Sequence, residues 1–377
     1  MVLFYENTKG TKRCIRAGKI TKGKTMENDI KFIDLFAGVG GFHYGLEQSN
    51  KVRKTSKRLF TLSKRNYGDV GKHTLQTTPL NCVGQSYKTE NNNNSRKDST
   101  LFGNINKPAF RCVWSNEWDK YAGQIYKKRF PNTPFYEGDI RKINAKDIPD
   151  HDLLVAGFPC QSFSVAGKRK GFNETRGNLF FEIVRIAKEK RPRLLLLENV
   201  KGLLSHDKGE TFRIILTTLD AIGYNAEWEV INSKNFGVPQ NRERVFIIGH
   251  LRGKSEPKIF PIGQSQESNT KTSNEINKIK NVNPSKKGQS GNVYSINGIS
   301  PTLNANGGGL GAKTELYKIG ERIRKLTPIE CERLQSFPDN WTEGLSDTQR
   351  YKCMGNAVTT KVVQVIGEKI LNKRNAV

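Results

Sequence analysis

KFIDLFAGVGG, running from Lys31 to Gly41, compresses a strand, a turn and the start of a helix into one line of sequence. Lys31 to Phe36 predicts a buried strand, and Ala37 to Gly41 a turn whose glycines leave the backbone open to close approach. The residues through Leu46 then predict a short helix. Strand, Gly-rich turn and helix in that order have the form of a nucleotide-binding turn at the start of an α/β sheet, a form that by itself names no ligand.

Downstream the same alternation continues. Strands are expected at Phe110 to Ser115, Asp152 to Ala156, Arg193 to Leu197, Ala226 to Ile231 and Arg244 to Ile248. Between them, helices are expected from about Trp118 to Phe130, at Leu179 to Lys190 and at Thr211 to Ile222. Strands alternating with amphipathic helices make a doubly wound, parallel α/β sheet. Two segments interrupt the pattern. Residues 51–108 carry 12 Lys/Arg against three acidic residues, a net of +9, with the run Asn91 to Asn94, and read as a solvated basic insertion. Residues 251–323 are rich in Lys, Ser, Asn and Gly and read as a second, smaller domain. At Thr327, Pro328, Ile329 and Glu330 a capping box opens a further helix, and ordinary periodicity resumes over residues 324–377 as it ran over residues 31–250. Residues 1–30 form a basic leader, and Met26, just before the first strand, offers a second start.

The chain has 377 residues, 63 Lys+Arg and 36 Asp+Glu, a net charge of +27. Such an excess attracts a polyanion, with nucleic acid the leading candidate. Leu194 to Leu197 is the longest purely aliphatic run, far short of the ~20 residues that cross a membrane, and no signal peptide follows the apolar patch Val2 to Tyr5. A cytoplasmic protein is therefore expected. The six cysteines (Cys14, Cys82, Cys112, Cys160, Cys331 and Cys353) include no CxxC pair, and the five histidines no HExxH, so no metal site is expected.

The first turn lacks the parts that grip a diphosphate. His43 stands where a dinucleotide fingerprint would place glycine, and no Lys-Ser/Thr follows. A ligand with an adenosine but no pyrophosphate, such as S-adenosylmethionine, fits better. Glu117 and Asp139 end successive strands, where carboxylates accept hydrogen bonds from ribose hydroxyls and an adenine amino group. Cys160 follows a strand, a glycine and Pro159. A lone cysteine is more often a small buried hydrophobe, but Glu198 and Asn199 end the neighbouring strand, and Gln240, Arg242 and Arg244 precede another. A thiolate, a carboxyl and a guanidinium at one sheet edge suit conjugate addition to an electron-poor ring.

Taken together the motifs resemble the DNA (cytosine-5)-methyltransferase family of the prokaryotic restriction-modification type. IDLFAGVGG (Ile33 to Gly41), SNEWD (Ser115 to Asp119), GDI (Gly138 to Ile140), GFPCQSFS (Gly157 to Ser164), ENV (Glu198 to Val200), QNRER (Gln240 to Arg244), RKLTPIECERLQSFP (Arg324 to Pro338) and GNAV (Gly355 to Val358) occur in the family's order. The resemblance implies methyl transfer from S-adenosylmethionine to C5 of a cytosine flipped out of double-stranded DNA, through a Cys160 adduct at C6. It implies that Glu198 supports N3 and the exocyclic amine, that Arg244 holds O2 with Arg242 behind it, that Asn199 orients the Cys160 loop, and that Pro159 shapes it. For the cofactor it implies Phe36 and Trp118 around the adenine, Asp139 on its amino group, Glu117 on the ribose, and Gly38, Gly40, Leu179 and Asn356 along the pocket, so that residues 324–377 return to the large domain of residues 31–250. The basic loop from Ser162 to Arg176 would close over the DNA backbone. Residues 251–323 take the place of the family's target-recognition domain, where YSINGISPTLNANGGGLGAKT (Tyr294 to Thr314) is similar to a segment of the GCGC-recognising enzyme. A monomer is expected. The recognition site, the base that removes the C5 proton and the presence of a cognate restriction endonuclease stay open. Two other readings compete: the tRNA cytosine-5 methyltransferase branch, which typically has proline where this chain has Phe158, and a DNA-binding homologue without catalysis.

Overall fold

A computed structural model describes residues 29–50, 109–159, 179–254, 257–263, 275–282, 291–305 and 315–374. The basic leader, the 51–108 insertion, Cys160 with the loop through Arg176, and the Asn306 to Thr314 end of the glycine-rich stretch lie outside the described residues.

Leu194 to Leu197 shows how the large sheet is made. Leu195 and Leu197 face one hydrophobic layer, and Leu194 and Leu196 face the other, so all four are buried. A strand covered on both faces has no polar side to show, and it therefore reads as an unbroken apolar run. The sheet contains β1 (Ile30–Leu35), β2 (Phe110–Glu117), β3 (Phe135–Glu137), β4 (Leu153–Gly157), β5 (Leu194–Val200), β6 (Tyr224–Asn232) and β7 (Glu243–Leu251). Its order is β3-β2-β1-β4-β5-β7-β6. On one face, Ile33, Leu35, Leu195 and Leu197 pack against α3 (Leu179–Lys190) and α4 (Glu210–Ala221). On the other, Phe32, Leu153, Val155 and Leu196 pack against α1 (residues 41–50) and α7 (Thr360–Arg374). The doubly wound α/β architecture is thus present.

One strand departs from the expected parallel arrangement. β7 runs antiparallel to both β5 and β6. The link between β6 and β7, residues 233–242, is too short for a helical crossover, which needs roughly a dozen residues or more, so the chain turns back as a hairpin. The segment that follows β7 packs over the face of β6 that carries Ile231. Glu227 accepts hydrogen bonds from the Ile259 and Phe260 amides at 2.7 and 3.2 Å, and Glu229 accepts one from Ile262 at 2.9 Å.

A second sheet, ordered β11-β10-β9-β8, contains β8 (Lys278–Asn281), β9 (Asn292–Ser295), β10 (Leu316–Ile319) and β11 (Arg322–Lys325). This second sheet is the core of a smaller unit beside the large one, and its last strand ends at Lys325. Next comes α5 (Pro328–Leu334), opened by the capping box in which Thr327 and Glu330 each accept from the other's backbone. After it, α6 (Asp347–Asn356) leads into α7. The return to the first sheet is close: a Cβ on Gly45 of α1 would lie 2.6 Å from Cβ of Val363 on α7. The remaining helix, α2 (Lys120–Arg129), is capped by Asp119, whose carboxylate accepts from the Tyr121 and Ala122 amides. Among the described residues no helix is long and apolar enough to cross a membrane.

Candidate active site

The carboxyl ends of β1, β2, β4 and β5 and the start of β7 surround a cavity of about 600 Å³, a size suited to a cofactor-like ligand. It lies beside the β1–β4 junction, where the strand order reverses and α/β sheets open a crevice.

One half of the cavity is built around Glu117. Its Oε2 accepts from the Gly38 amide at 2.7 Å, and its Oε1 accepts from the amides of Trp118 and Asp119 at 2.8 and 2.7 Å. Burial raises its pKa, and these three donors oppose the rise. The carboxylate is therefore fixed in place by backbone, with one acceptor direction on Oε2 left for a hydroxyl donor. Trp118 projects its ring outward, 64% exposed. Phe36 reaches the cavity from a left-handed backbone (φ 56°), which costs a non-glycine residue about 1–3 kcal/mol. At Gly38, φ is +56° as well, a left-handed value that favours glycine. Asp139 lies on the wall with its carboxylate held by Arg141, and that cation lowers its pKa. Leu179 and Asn356 also line the cavity.

The other half holds the groups expected to act on a ring. Register places Glu198 beside Gly157, one strand over, at the foot of the segment Phe158-Pro159 that leads into Cys160. Arg244 Nε lies 3.0 Å from Glu198 Oε1, with both side chains largely buried. Burial raises the Glu198 pKa, and the Arg244 and Arg242 charges pull it back. Arg242 is 1% exposed and donates to the carbonyls of Leu303, Gly355 and Ala357 at 3.3, 3.0 and 2.8 Å. Burial, then repulsion from Arg244, brings its pKa down to about 9, so it stays charged at neutral pH. Asn199 donates to the Phe158 carbonyl at 2.8 Å and accepts from the Val200 amide at 2.8 Å, which ties the end of β5 to the segment carrying Pro159.

Of the expected site residues, Phe36, Gly38, Glu117, Trp118, Asp139, Pro159, Leu179, Glu198, Asn199, Arg242, Arg244 and Asn356 share this cavity. Gly40 does not. Its φ is +86°, and a Cβ there would run into the Phe130 ring, so its place is in the packing behind the turn. Cys160 lies outside the described residues. The sequence reading missed two contributions. Thr302, Leu303, Asn304 and Ala305, which follow β9, line the cavity too. Gln240 anchors them, accepting from the Leu303 amide at 3.1 Å while donating to the Leu334 carbonyl at 2.7 Å. Lys352 reaches Asp119 at 2.6 Å and joins α6 to the start of α2 at the cavity wall. Only the tertiary fold brings these positions together, although the polar pattern of QNRER pointed to Gln240.

Among the lining residues the cations are Arg242, Arg244 and Lys352, and each is already engaged by protein carbonyls or a carboxylate. The wall thus offers a flat aromatic face and four carboxylates, Glu117, Asp119, Asp139 and Glu198, but no free cation for a diphosphate. That donor set fits an adenosine without pyrophosphate.

Residues 99–300 and 283–372 match the family described as C-5 cytosine-specific DNA methylase. Over 291 residues the chain is 39% identical to the type II methyltransferase M.HhaI of Haemophilus parahaemolyticus, covering 70% of this chain and 88% of the relative. It is also 39% identical over 365 residues to the type II methyltransferase M.NlaX of Neisseria lactamica, covering 92% and 98%. Among solved structures, the Dnmt2 methyltransferase of S. pombe aligns with a TM-score of 0.60 over 92% of this chain and 99% of that one; at 18% identity this is a likeness of fold.

Proposed function

The chain belongs to the C-5 cytosine-specific DNA methylase family and is a DNA (cytosine-5)-methyltransferase of the type II modification class, and from that premise we propose how its residues perform the reaction. The substrate is a cytosine within a short double-stranded DNA sequence, extruded from the stack because its C5 is inaccessible inside a duplex. The methyl donor is S-adenosylmethionine, held with its adenine against Trp118 and Phe36, its amino group toward Asp139 and its ribose on Glu117. Bound there, it supplies an electrophilic methyl group. One observation carries this reading: a single cavity joins the adenosine-type wall to the Glu198–Arg244 pair and to Pro159, the residue before Cys160.

The rest of the chemistry falls to the chain. C5 of cytosine is a weak nucleophile, so the ring is first activated by addition of the Cys160 thiolate to C6. That addition pushes negative charge toward N3. Glu198, whose burial favours its protonated form, meets this charge with a proton and accepts from the exocyclic amine. Arg244, 3.0 Å from Glu198, keeps a donor beside the carboxyl for the ring O2. Arg242 stands behind both as a fixed positive charge. Asn199 holds the Phe158 carbonyl and with it the approach of Cys160. Once C5 has gained its substituent, loss of the C5 proton and elimination of Cys160 restore the aromatic ring. The region of the second sheet reads the DNA sequence, and the basic segments contribute contacts to phosphate, which position the duplex.

The test is transfer of labelled methyl to duplex DNA against tRNA, with bisulfite sequencing of DNA from cells expressing the protein. Label on cytosine C5 of duplex DNA is expected, together with a covalent complex on a duplex bearing 5-fluorocytosine. In Cys160→Ala, transfer and trapping should both vanish while DNA binding survives. Label on tRNA alone, or turnover in Cys160→Ala, would overturn the reading.

A further inference from the structure

Arg141, two residues beyond Asp139, is not on the cavity wall, yet it touches both halves of the adenine site. The Arg141 amide donates to Asp139 Oδ1 at 3.0 Å. The side chain adds Nε to Oδ1 at 2.9 Å and to Oδ2 at 3.0 Å, and Nη2 to Oδ2 at 2.6 Å. In the other direction the guanidinium carbon lies 6.0 Å from the centroid of the Trp118 ring, at the outer limit of a cation–π contact.

We propose that Arg141 is a positioning residue for the adenine of the methyl donor, which it serves by fixing the Asp139 carboxylate and bracing the Trp118 ring. The inference rests on the cofactor reading given above. An ionised carboxylate has about four acceptor directions. Here the backbone amide and Nε occupy those of Oδ1, and Nη2 takes one on Oδ2. With Nε shared between the two oxygens, Oδ2 keeps one direction for a further donor, and the fork sets where it points. An unforked aspartate would rotate about χ2 and offer that acceptor in many directions at an entropic cost on binding. Trp118 needs support for a related reason. Its backbone amide is tied to Glu117, but its ring is 64% exposed. A guanidinium beside an indole restricts the ring without covering it completely. One cation therefore organises both the hydrogen-bond acceptor and the stacking face.

The experiment is isothermal titration with S-adenosylhomocysteine and with the matching thioether of purine riboside, which carries hydrogen in place of the 6-amino group. Wild-type protein should bind the adenine compound more tightly. In Arg141→Ala its dissociation constant should rise about tenfold, the cost of one charge-assisted contact set. The purine compound, lacking the amino group, should lose less, so that discrimination between the two shrinks. At saturating methyl donor kcat should be unchanged, and Arg141→Lys, which keeps the charge but not the fork, should fall between. Equal losses for both ligands would make Arg141 a general structural residue and overturn the proposal, as would tighter binding in Arg141→Ala, which would mark it as a competitor of the adenine. A wild-type protein that binds neither compound would instead remove the cofactor reading, and this inference with it.

Discussion

Arg244→Ala should destabilise the protein in a way that depends on pH, because it leaves Glu198 buried without its nearest cation. The pair is 3.0 Å apart, and the side chains are 14% and 13% exposed. At an effective dielectric constant of about 20 their attraction is about 5 kcal/mol before desolvation. Removing one member of a buried pair costs about 3–5 kcal/mol, and Arg242 remains nearby to offset part of it, so about 3 kcal/mol is expected at pH 8. Protonation relieves the penalty. Burial already holds the Glu198 pKa above its ordinary value, and removing Arg244 takes away an influence that lowers it. A carboxyl whose folded pKa is raised makes its full contribution below the unfolded value of about 4.3. That contribution is lost as pH climbs toward the folded pKa, by about 1.4 kcal/mol per unit. The Arg244→Ala deficit should therefore be small near pH 5 and grow toward pH 8, where the midpoint of thermal unfolding should fall by about 4–6 °C. Scanning calorimetry of wild type, Arg244→Ala and Arg244→Ala/Glu198→Gln at both pH values measures it. The double variant should recover most of the pH 8 loss. A deficit that is the same at both pH values, or one that Glu198→Gln deepens, would refute the reasoning.

Trp118→Ala should weaken S-adenosylhomocysteine binding about tenfold or more, since stacking of a base on an aromatic ring contributes about 1–3 kcal/mol; titration with an unchanged dissociation constant would remove Trp118 from the site. Asn199→Ala strips the Phe158 carbonyl of its side-chain donor and should cost about 1–3 kcal/mol of stability together with a fall in single-turnover methylation rate. If the rate holds, the tether does not orient the Cys160 approach. Gly45→Ala places a methyl group 2.6 Å from Cβ of Val363 and should lower stability by about 1–3 kcal/mol, read by urea denaturation. An unchanged midpoint would mean that α1 and α7 slide apart freely.

Local signals carried most of the architecture. Apolar runs such as Leu194 to Leu197 announce buried strands because their period is short, and the Thr327/Glu330 pair announces a helix start because its partners are three residues apart. The site was legible for the same reason: its groups sit at strand ends, and a doubly wound sheet gathers its strand ends at one edge. Most of what escaped depends on distant packing. The approach of Thr302 to Ala305 and the Lys352–Asp119 tie form only after the chain has folded back, whereas the Arg141 fork spans two residues and was overlooked although it is local. Gly40 shows the converse, since a glycine in a ligand-binding turn can be required by the ring behind it, here Phe130, instead of by the ligand in front. The reversed β7 was latent in the length of residues 233–242, but the periodicity that finds strands carries no direction.

The close seating of α7 on α1 also has a bearing on time. Val362, Val363 and Ile366 cover the same face of the sheet as Phe42 and Leu46, so a layer begun near Gly41 is finished by residues made hundreds of positions later. While a ribosome is still emitting the middle of the chain, Phe32, Leu153 and Val155 lack part of their cover, and such incomplete intermediates are prone to stick to one another. Contacts this distant in sequence also slow folding, because a long loop must close before they contribute. Maturation is thereby tied to the synthesis of α7, and a chaperone that shields the α1 face until α7 emerges should raise the yield of active protein.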